Sequence, residues 1–495
     1  MTKPMKFITP LILLVVISLA AGQGQAYSPV LDVFCRFGIG APKGVSGYDL
    51  ATLGVGSYLD WSAVRGPQVP QGIRYFHVLR VSDRSYDQTL IKLPGLLQQY
   101  PGAVWIIGNE PDSEVAFQDN ISPATYAARY YQLASLIGND DQAVRVFGTV
   151  IQPTPIRQRY LWETLNKLDE LTGSPEKTRA LIDVVSIHNF ILNEEPIYQD
   201  GIAVNWGAGL PRGYVAGDWP EPDVIQIGGE NDETSKTHDP DTFARRIEEF
   251  RAWMVENDLN DKPLWVTEYG SLFPSVGNVY LTVSESDTAD FLKQTMDFLL
   301  SARDETTGYA ADDYRLVQHF VWYSLNEDRW RFGGSLYDPD NQTLTMVGER
   351  YINYDPPLSS GLVPKPADLT IIPGSLTIAP IGQGSAPGLV NFRVTLRAAN
   401  LTASEFRTQA RAKLMINGVT VAEPNLTLPR CGGQGVLQFT FNDQLPGNQL
   451  NLAAEVTLTG SSWPDTNLDN NNHTFASVTL PPMFQNFLPL LNKTP

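Results

Sequence analysis

The stretch VWIIGNEPDSE, residues 104–114, decides the fold class because an apolar run ends abruptly on polar residues and a proline. Four consecutive apolar residues are typical of a parallel strand that is covered on both faces. Pro111 has no N–H for a further ladder position, so the strand is predicted to end before it. Glu110 is therefore expected at the carboxyl end of a strand, as either an exposed turn acid or part of a site.

Seven further runs of the same kind make this stretch one unit of a repeat. Segments with helical spacing separate several of them, most clearly residues 239–257 and 286–305, each with an Asp or Ser available as a cap. Eight strands alternating with helices predict an α/β fold, the closed (β/α)8 TIM barrel. An open doubly wound sheet is disfavoured, because GIGAPKG (38–44) lacks the glycine spacing of a phosphate loop. The eight runs are residues 35–40, 54–61, 75–83, 103–110, 145–153, 182–190, 262–270 and 316–325.

The character of the chain changes after Tyr351. DPPLSSGLVPKP (355–366) is rich in Pro, Gly and Ser, and beyond it short alternating runs and an Asn-Gly pair at 417–418 predict a smaller all-β sandwich. This sandwich is either a tethered module or a domain that packs on the barrel. The predicted divisions are a signal peptide at 1–26, the barrel at 27–355, a linker at 356–366, the sandwich at 367–481 and a tail at 482–495.

Composition indicates an exported globular protein. Lys3 and Lys6 precede an apolar run at 7–21, which is typical of a cleaved signal peptide more than of a retained anchor. The mature chain is therefore expected to be secreted or extracytoplasmic, free or attached to the cell surface, with no membrane span. The formal net charge is −18, and the excess of acids lies in 27–365, because 366–495 carries seven bases and seven acids. Such an acidic surface disfavours nucleic acid as a partner and favours a neutral ligand.

Metal and thiol chemistry find little support in the sequence. The five histidines form no H-E-x-x-H motif and no cluster, so no metal and no other cofactor is predicted. Cys35 and Cys431 are far apart in the chain, and whether they pair stays open. DTNLDNNN (465–472) alternates oxygen-bearing side chains, which leaves calcium open, although the glycine and closing glutamate of an EF-hand loop are missing. The oligomeric state is not indicated.

A second strand end has the same form as the first. KPLWVTEYG (262–270) is an apolar run that ends on Glu268 and is followed by an aromatic residue and a glycine. Because the carboxyl ends of the strands form the active site in this kind of barrel, Glu110 and Glu268 are expected to face each other across its mouth. Two carboxyl groups about 5 Å apart suit double displacement on an acetal, whereas about 7–9 Å suits inversion by water.

The order of these motifs resembles a known clan. N-E-P on the fourth strand and E-Y-G on the seventh are similar to retaining glycoside hydrolases with (β/α)8 barrels. The segments DVVSIHNF (183–190), VWYSLNEDRW (321–330) and GSLYDPDNQTLTMVGERY (334–351) resemble β-glucanase-like barrels of the alkali-sensitive-linkage type. The resemblance covers roughly residues 30–355, and the C-terminal region resembles bacterial adhesion sandwiches of the CARDB type.

This resemblance implies a secreted hydrolase that cleaves a neutral β-linked oligo- or polysaccharide with retention. It implies that Glu110 is the acid/base, Glu268 the nucleophile, Asn109 a donor to the sugar 2-hydroxyl, and Trp322 a platform for the sugar.

Three further positions leave alternatives open. Relatives often read H-x-Y after strand six, whereas His188 is followed by Asn189 and Phe190, so a tyrosine hydroxyl is missing. Tyr269 could supply it, or the site is weakened, which keeps open a catalytically silent carbohydrate-binding or adhesion protein. His188 is either a substrate contact or a buried structural histidine. Arg80 is either a partner of Glu110 or a surface ion-pair residue.

Overall fold

Eight parallel strands close into a barrel, which confirms the predicted fold class. Their order around the barrel is β1-β10-β9-β6-β5-β4-β3-β2, and each of the eight apolar runs contributes one strand. A hairpin, β7 and β8, is inserted between β6 and β9. The strands are β1 (Phe37–Gly40), β2 (Ser57–Leu59), β3 (Arg74–Leu79), β4 (Val104–Ile107), β5 (Val144–Val150), β6 (Val184–His188), β7 (Ile197–Gln199), β8 (Ile202–Asn205), β9 (Leu264–Gly270) and β10 (His319–Tyr323).

The computed structural model describes residues 35–69, 72–195, 197–199, 202–205, 207–215, 225, 233–273, 283–328, 331–460 and 464–482. The predicted signal peptide at 1–26 and residues 483–495 of the predicted tail lie outside this part of the chain.

Helices surround the barrel on its outer side. The two clearest sequence predictions correspond to α6 and α7, whose amino termini are capped by Asp239 and Ser284 through hydrogen bonds from Thr242 N and Asp287 N. Among the described residues, no helix is both long enough and apolar enough to cross a bilayer. The helices are α1 (Leu50–Leu53), α2 (Tyr86–Gln99), α3 (Pro123–Ile137), α4 (Pro155–Thr172), α5 (Pro175–Ala180), α6 (Pro240–Glu256), α7 (Glu285–Ser301) and α8 (Met346–Ile352).

Alternation along the strands divides the barrel core into two layers. One set of side chains fills the interior, where the rings of Phe76 and Trp265 stack with centroids 5.3 Å apart. The other set points outward and joins the apolar faces of the helices in a second, larger cluster. The parity of a residue on its strand therefore decides whether its side chain can reach the mouth or is covered by a helix.

Antiparallel sheets that share one apolar core form the C-terminal region, in agreement with the predicted sandwich. One sheet contains β11, β12, β13 and β17, and the other contains β14, β15, β16, β19 and β20. Asn417 and Gly418 have φ of 51° and 81° and make the predicted turn between β14 and β15. The strands are β11 (Leu369–Ile371), β12 (Thr377–Gln383), β13 (Val390–Asn400), β14 (Thr408–Ile416), β15 (Val419–Ala422), β16 (Asn425–Leu428), β17 (Gln434–Gln444), β18 (Gln449–Leu450), β19 (Leu452–Leu458), β20 (Asn472–Thr474) and β21 (Val478–Thr479).

The sandwich is packed against the barrel and joined to it by a disulfide. Cys35, just before β1, pairs with Cys431 between β16 and β17. The neighbouring Arg430 is fully buried, and its guanidinium donates to the backbone carbonyls of Tyr354 (3.0 Å) and Tyr351 (2.9 Å) and lies 4.2 Å from the ring centroid of Phe37. These contacts join the sandwich to the barrel near the amino-terminal end of β1.

The predicted linker is also tied to the barrel. The carbonyl of Ser360 accepts hydrogen bonds from Arg303 (2.6 Å) and Arg315 (2.8 Å). A further ion pair joins Asp49 of the barrel to Arg397 of the sandwich, with 2.5 Å between its charged atoms. Of the two alternatives for the sandwich, the structure therefore has the packed domain.

We expect Arg430→Met to destabilise the whole chain. Methionine fills much of the same volume but leaves the carbonyls of Tyr351 and Tyr354 without donors, which should lower the free energy of unfolding by roughly 2–5 kcal/mol. Urea unfolding followed by tryptophan fluorescence measures the change. The matched control is Arg411→Met, which removes an exposed arginine from the same domain. Equal unfolding midpoints for the two variants would contradict a stabilising role for this interface.

Candidate active site

Glu110 is turned into the mouth by an unusual backbone at the end of β4. Gly108 has a φ of 96°, and a Cβ there would lie 3.1 Å from Cε2 of Tyr126, so only glycine fits without displacement. Glu110 itself has a φ of 43°, and its N–H donates to the carbonyl of Thr149 at 3.0 Å. Left-handed backbone at a non-glycine residue is unfavourable, and its presence beside a buried carboxylate is typical of a functional site.

A β-bulge places Glu268. β9 has one extra residue relative to each neighbouring strand. Against β6, Ile187 pairs with Val266 but His188 pairs with Glu268. Against β10, Phe320 pairs with Val266 but Trp322 pairs with Tyr269. The extra residue is Thr267, whose hydroxyl lies 3.2 Å from that of Ser186 inside the barrel. The bulge reverses the alternation, so Glu268 points inward and Tyr269 outward.

His188 lies between the two glutamates. Its Nδ1 is 2.8 Å from Oε1 of Glu110, and its Nε2 is 3.3 Å from Oε1 of Glu268. One oxygen of each carboxylate and a ring nitrogen all lie within 4.8 Å of one another, and all three side chains are buried. The structure therefore brings together the predicted residues Glu110, Glu268 and His188.

Burial and mutual charge determine the protonation of this cluster. Burial raises the pKa of Glu268 to about 7, and Glu110 adds to the rise, against the lowering effects of His188, Trp61 and Arg80. Burial lowers the pKa of His188, but the carboxylates of Glu268 and Glu110 outweigh it and raise that pKa above its usual value. A cationic imidazole with both N–H groups can donate to both carboxylates at once.

The same three side chains are also a candidate metal site, because one ligand atom of each lies within 4.8 Å of the others. A divalent cation can use only one nitrogen of an imidazole, and here Nδ1 faces Glu110 while Nε2 faces Glu268. An imidazole that faces a different carboxylate with each nitrogen is suited to hold a proton shared with them.

Trp61 is a site residue that sequence reasoning missed. It follows β2, and its Nε1–H donates to Oε1 of Glu268 at 2.5 Å. Glu268 therefore has an indole donor from the chain after β2. The available signal was position, since Trp61 ends the second apolar run just as Glu110 ends the fourth.

Aromatic rings form one side of the mouth. Tyr323 lies with its ring centroid 5.5 Å from Trp61, 6.0 Å from Phe190 and 6.3 Å from Phe332. We call Trp61, Phe190, Tyr323 and Phe332 the aromatic wall. Burial raises the pKa of the Tyr323 hydroxyl well above its usual range, and Glu268 adds to the rise.

Trp322 does not belong to this wall, which corrects the expectation of a sugar platform. Its side chain is fully buried on the outer side of β10, and its Nε1–H donates to the carbonyl of Gly334 at 2.7 Å. Phe320 and Trp322 lie in the outer cluster and Val321 in the inner one, so alternation along β10 gives Tyr323 the inward direction. Tyr323 is the residue of this strand that faces the mouth.

Tyr269 is likewise outside the site. The bulge at Thr267 turns it away from the axis, and it is fully buried, with ring centroids 5.1 Å from Trp322 and 5.4 Å from Phe243 of α6. Its hydroxyl therefore does not support Glu268, contrary to one of the alternatives left open by the sequence.

Asn109 and Arg80 are linked through Asp119. The carboxylate of Asp119 accepts from Nε of Arg80 (2.9 Å) and from the backbone N–H of Asn109 (2.8 Å). The side-chain amide of Asn109 donates to Gln118 at 2.7 Å. Arg80 makes no hydrogen bond to Glu110, so its expected partnership is indirect, and its positive charge acts on Glu268 instead.

Behind Glu110 lies a buried ionic network. Arg157 of α4 is fully buried and contacts carboxylate oxygens of Asp112 (3.1 Å) and Glu194 (2.5 Å). Asp112 also accepts from the backbone N–H of Ile151 at 3.3 Å. Burial raises the pKa of Asp112 to about 6, and Arg157 opposes this rise. The network connects the chain after β4, α4 and the chain after β6, which together support the backbone of Glu110.

In the segment 465–472, which was considered for calcium, the carboxylate of Asp465 makes hydrogen bonds within the sandwich. Both oxygens of Asp465 lie within 3.4 Å of the backbone N–H of Leu369, and Oδ1 also accepts from Asn467 N. A calcium site at residues 465–472 stays one of the alternatives that the sequence leaves open.

Comparisons with known proteins give the following picture. No protein-family model matches the sequence, and no curated protein is significantly similar to it. Among solved structures, an oligosaccharide-binding protein of GH128 subgroup VII from Cryptococcus neoformans matches 65% of this chain and 93% of its own, at 15% identity and a TM-score of 0.35. A glucosidase from Croceicoccus marinus matches 87% and 98%, at 10% identity and a TM-score of 0.40. The CARDB domain of a Pyrococcus furiosus protein, in complex with two metal ions, matches 24% and 98%, at 16% identity and a TM-score of 0.18. Identities and TM-scores this low carry no functional assignment, so only the side chains at the mouth bear on function.

We expect Arg157→Met to cost about 3–5 kcal/mol at pH 8, because two buried carboxylates lose their cation. Without Arg157 the pKa of Asp112 should rise further above its unfolded value, so the loss should shrink towards pH 5, where Asp112 is protonated in the variant. Urea unfolding at both pH values measures this. Arg159→Met, on the exposed face of the same helix, is the matched control. A loss of equal size at pH 5 and pH 8 would contradict the role assigned to these charges.

Proposed function

We propose that this protein is a retaining glycoside hydrolase that acts on a neutral β-linked glycan. The observation that carries the proposal is the pair of buried carboxylates, Glu110 and Glu268, at the carboxyl ends of β4 and β9, with oxygens within 4.8 Å of each other. This separation fits the shorter of the two carboxyl spacings known for glycosidases, at which one carboxylate attacks the anomeric carbon directly.

In this proposal Glu268 attacks and Glu110 transfers protons. The bond from the anomeric carbon to the leaving oxygen breaks, that oxygen takes a proton from Glu110, and Glu268 forms a covalent ester with the sugar. Water, deprotonated by Glu110, then cleaves the ester. His188 supports this cycle because its Nδ1 lies 2.8 Å from Oε1 of Glu110 and, when it carries a proton, can supply it.

The free oxygen of Glu110 supports a ligand in the mouth. Oε2 of Glu110 is buried and has no hydrogen-bond partner in the described part of the chain. A buried carboxyl oxygen without a partner is unfavourable, and a glycosidic oxygen or a sugar hydroxyl would satisfy it. The aromatic wall beside it suits the apolar face of a sugar ring.

The acidic charge and the disulfide support two further parts of the proposal. Residues 27–365 carry the acidic excess, which disfavours polyuronates and other polyanions as substrates. The Cys35–Cys431 disulfide is typical of an oxidising compartment, which supports export from the cytoplasm.

A catalytically silent carbohydrate-binding protein is the second candidate. It is favoured by Phe190, which stands two residues after His188 where the hydrolases that the sequence resembles often have a tyrosine. Aryl β-glycosides separate the two candidates, since only an enzyme releases the phenol, whereas both would bind oligosaccharides.

We expect Glu268→Ala to abolish turnover of aryl β-glycosides and to be partly rescued by azide, which gives a glycosyl azide of inverted configuration. Glu110→Ala should lose about 10²–10⁴-fold on substrates with poor leaving groups and much less on dinitrophenyl glycosides, which need no acid. The control is Glu170→Ala on the exposed face of α4. Wild-type chain that binds glycans but hydrolyses none of a panel of aryl β-glycosides would refute the enzyme proposal.

We expect the acid limb of kcat/KM to lie near pH 7. Glu268 must be ionised to attack, and its folded-state pKa is raised to about 7, so activity should fall as the pH decreases through this value. Initial rates on a dinitrophenyl β-glycoside between pH 4 and pH 9 measure the profile. An acid limb near the usual glutamate value would show that Glu268 is not the group that titrates.

A further inference from the structure

Trp61 is held in an unusual conformation beside Glu268. Its φ is 58°, in the left-handed region that a bulky side chain rarely adopts. The turn directs the indole towards β1, where a Cβ on Gly40 would lie 3.0 Å from Cη2 of the ring. Gly40 therefore provides the space in which the indole lies, and this strained backbone has to be stabilised by what the indole contacts.

The contact divides the two oxygens of Glu268 between different roles. Oε1 accepts from Nε1–H of Trp61 at 2.5 Å and lies 3.3 Å from Nε2 of His188. Oε2 has no hydrogen-bond partner among the described residues. The lone pairs of Oε2 are therefore the ones left for a new bond.

We propose that Trp61 is the positioning residue of the nucleophile: its indole N–H fixes Oε1 of Glu268, so that Oε2 is presented to the anomeric carbon, and stabilises the carboxylate when it leaves. The proposal rests on the hydrolase function proposed above. In the first step Oε2 forms the ester bond and the leaving oxygen departs with the bonding pair. In the second step water attacks the anomeric carbon, and the bond to Oε2 breaks with its electron pair returning to Glu268.

The two steps depend on the indole N–H differently. A hydrogen bond to a carboxylate is stronger than one to an ester carbonyl, so Trp61 stabilises ionised Glu268 more than the ester. Departure of Glu268 from the sugar is therefore assisted, and the same preference keeps the nucleophile ionised in the free enzyme. The other charged or titratable groups facing Glu268 are His188 of β6, Glu110 after β4, Arg80 after β3 and Tyr323 of β10.

The test is Trp61→Phe in the full chain, which keeps an aromatic ring but removes the donor. With a dinitrophenyl β-glycoside at pH 9, above the acid limb, we expect kcat and KM to fall together by about 10- to 100-fold, because loss of one hydrogen bond to a charged group slows the departure of Glu268. A burst of one dinitrophenolate per chain should accompany this. The acid limb of kcat/KM should also move up by roughly one pH unit.

The control variant is Trp162→Phe, on α4, whose ring is 39% exposed and lies against Arg159. It should leave every parameter unchanged. A second measurement does not depend on the activity of any variant. In NMR spectra of the wild-type chain recorded over a range of pH, the indole Hε1 resonance of Trp61 should shift as Glu268 titrates. The Glu268→Gln variant should not show this shift.

The outcomes separate this proposal from the one on which it rests. Wild-type chain that releases no phenolate overturns the hydrolase function and this proposal with it. Active wild-type chain whose Trp61→Phe variant has unchanged kcat and an unchanged acid limb overturns the role of Trp61 alone. A folded variant that loses kcat and kcat/KM equally at all pH values, without a burst, also overturns it, since a merely structural residue would give that result.

Discussion

Two carboxylates are buried within reach of each other at the mouth of the barrel, and the site depends on the imidazole between them. Removing two like charges from water would be strongly unfavourable unless a cation lies close to both. His188 meets this need with one nitrogen towards each glutamate, at 2.8 Å and 3.3 Å. The turn after β4 and the bulge in β9 are the backbone features that bring the carboxylates to it.

Much of this arrangement follows from the sequence. The eight apolar runs predict the barrel, and the proline after Glu110 and the glycine after Glu268 mark the strand ends where site residues belong. His188 follows from the same rule. The alternation of side chains along β10 also indicates that Tyr323, and not Trp322, faces the mouth.

Other features depend on three-dimensional contacts that a single sequence does not specify. The bulge at Thr267 changes the direction of Tyr269, yet it is defined only by the registers of β6 and β10 against β9. Trp61 reaches Glu268 across 207 positions of the chain. The position of the sandwich is likewise not specified by the sequence. Arg430 donates to the backbone carbonyls of Tyr351 and Tyr354, and backbone carbonyls leave no sequence pattern. These contacts hold the second domain near the amino-terminal end of β1.

The two charge networks near β4 contain different cations, Arg157 in one and His188 in the other. Arg157 stays ionised at every relevant pH, so Asp112 and Glu194 have a constant cationic partner. His188 can lose its proton, so the charge between Glu110 and Glu268 can change with pH. A lysine or arginine in place of His188 would neutralise the carboxylates equally well, but it would hold no proton ready for transfer at neutral pH. In the proposed hydrolase, histidine at this position would serve proton transfer, whereas the arginine behind it serves stability.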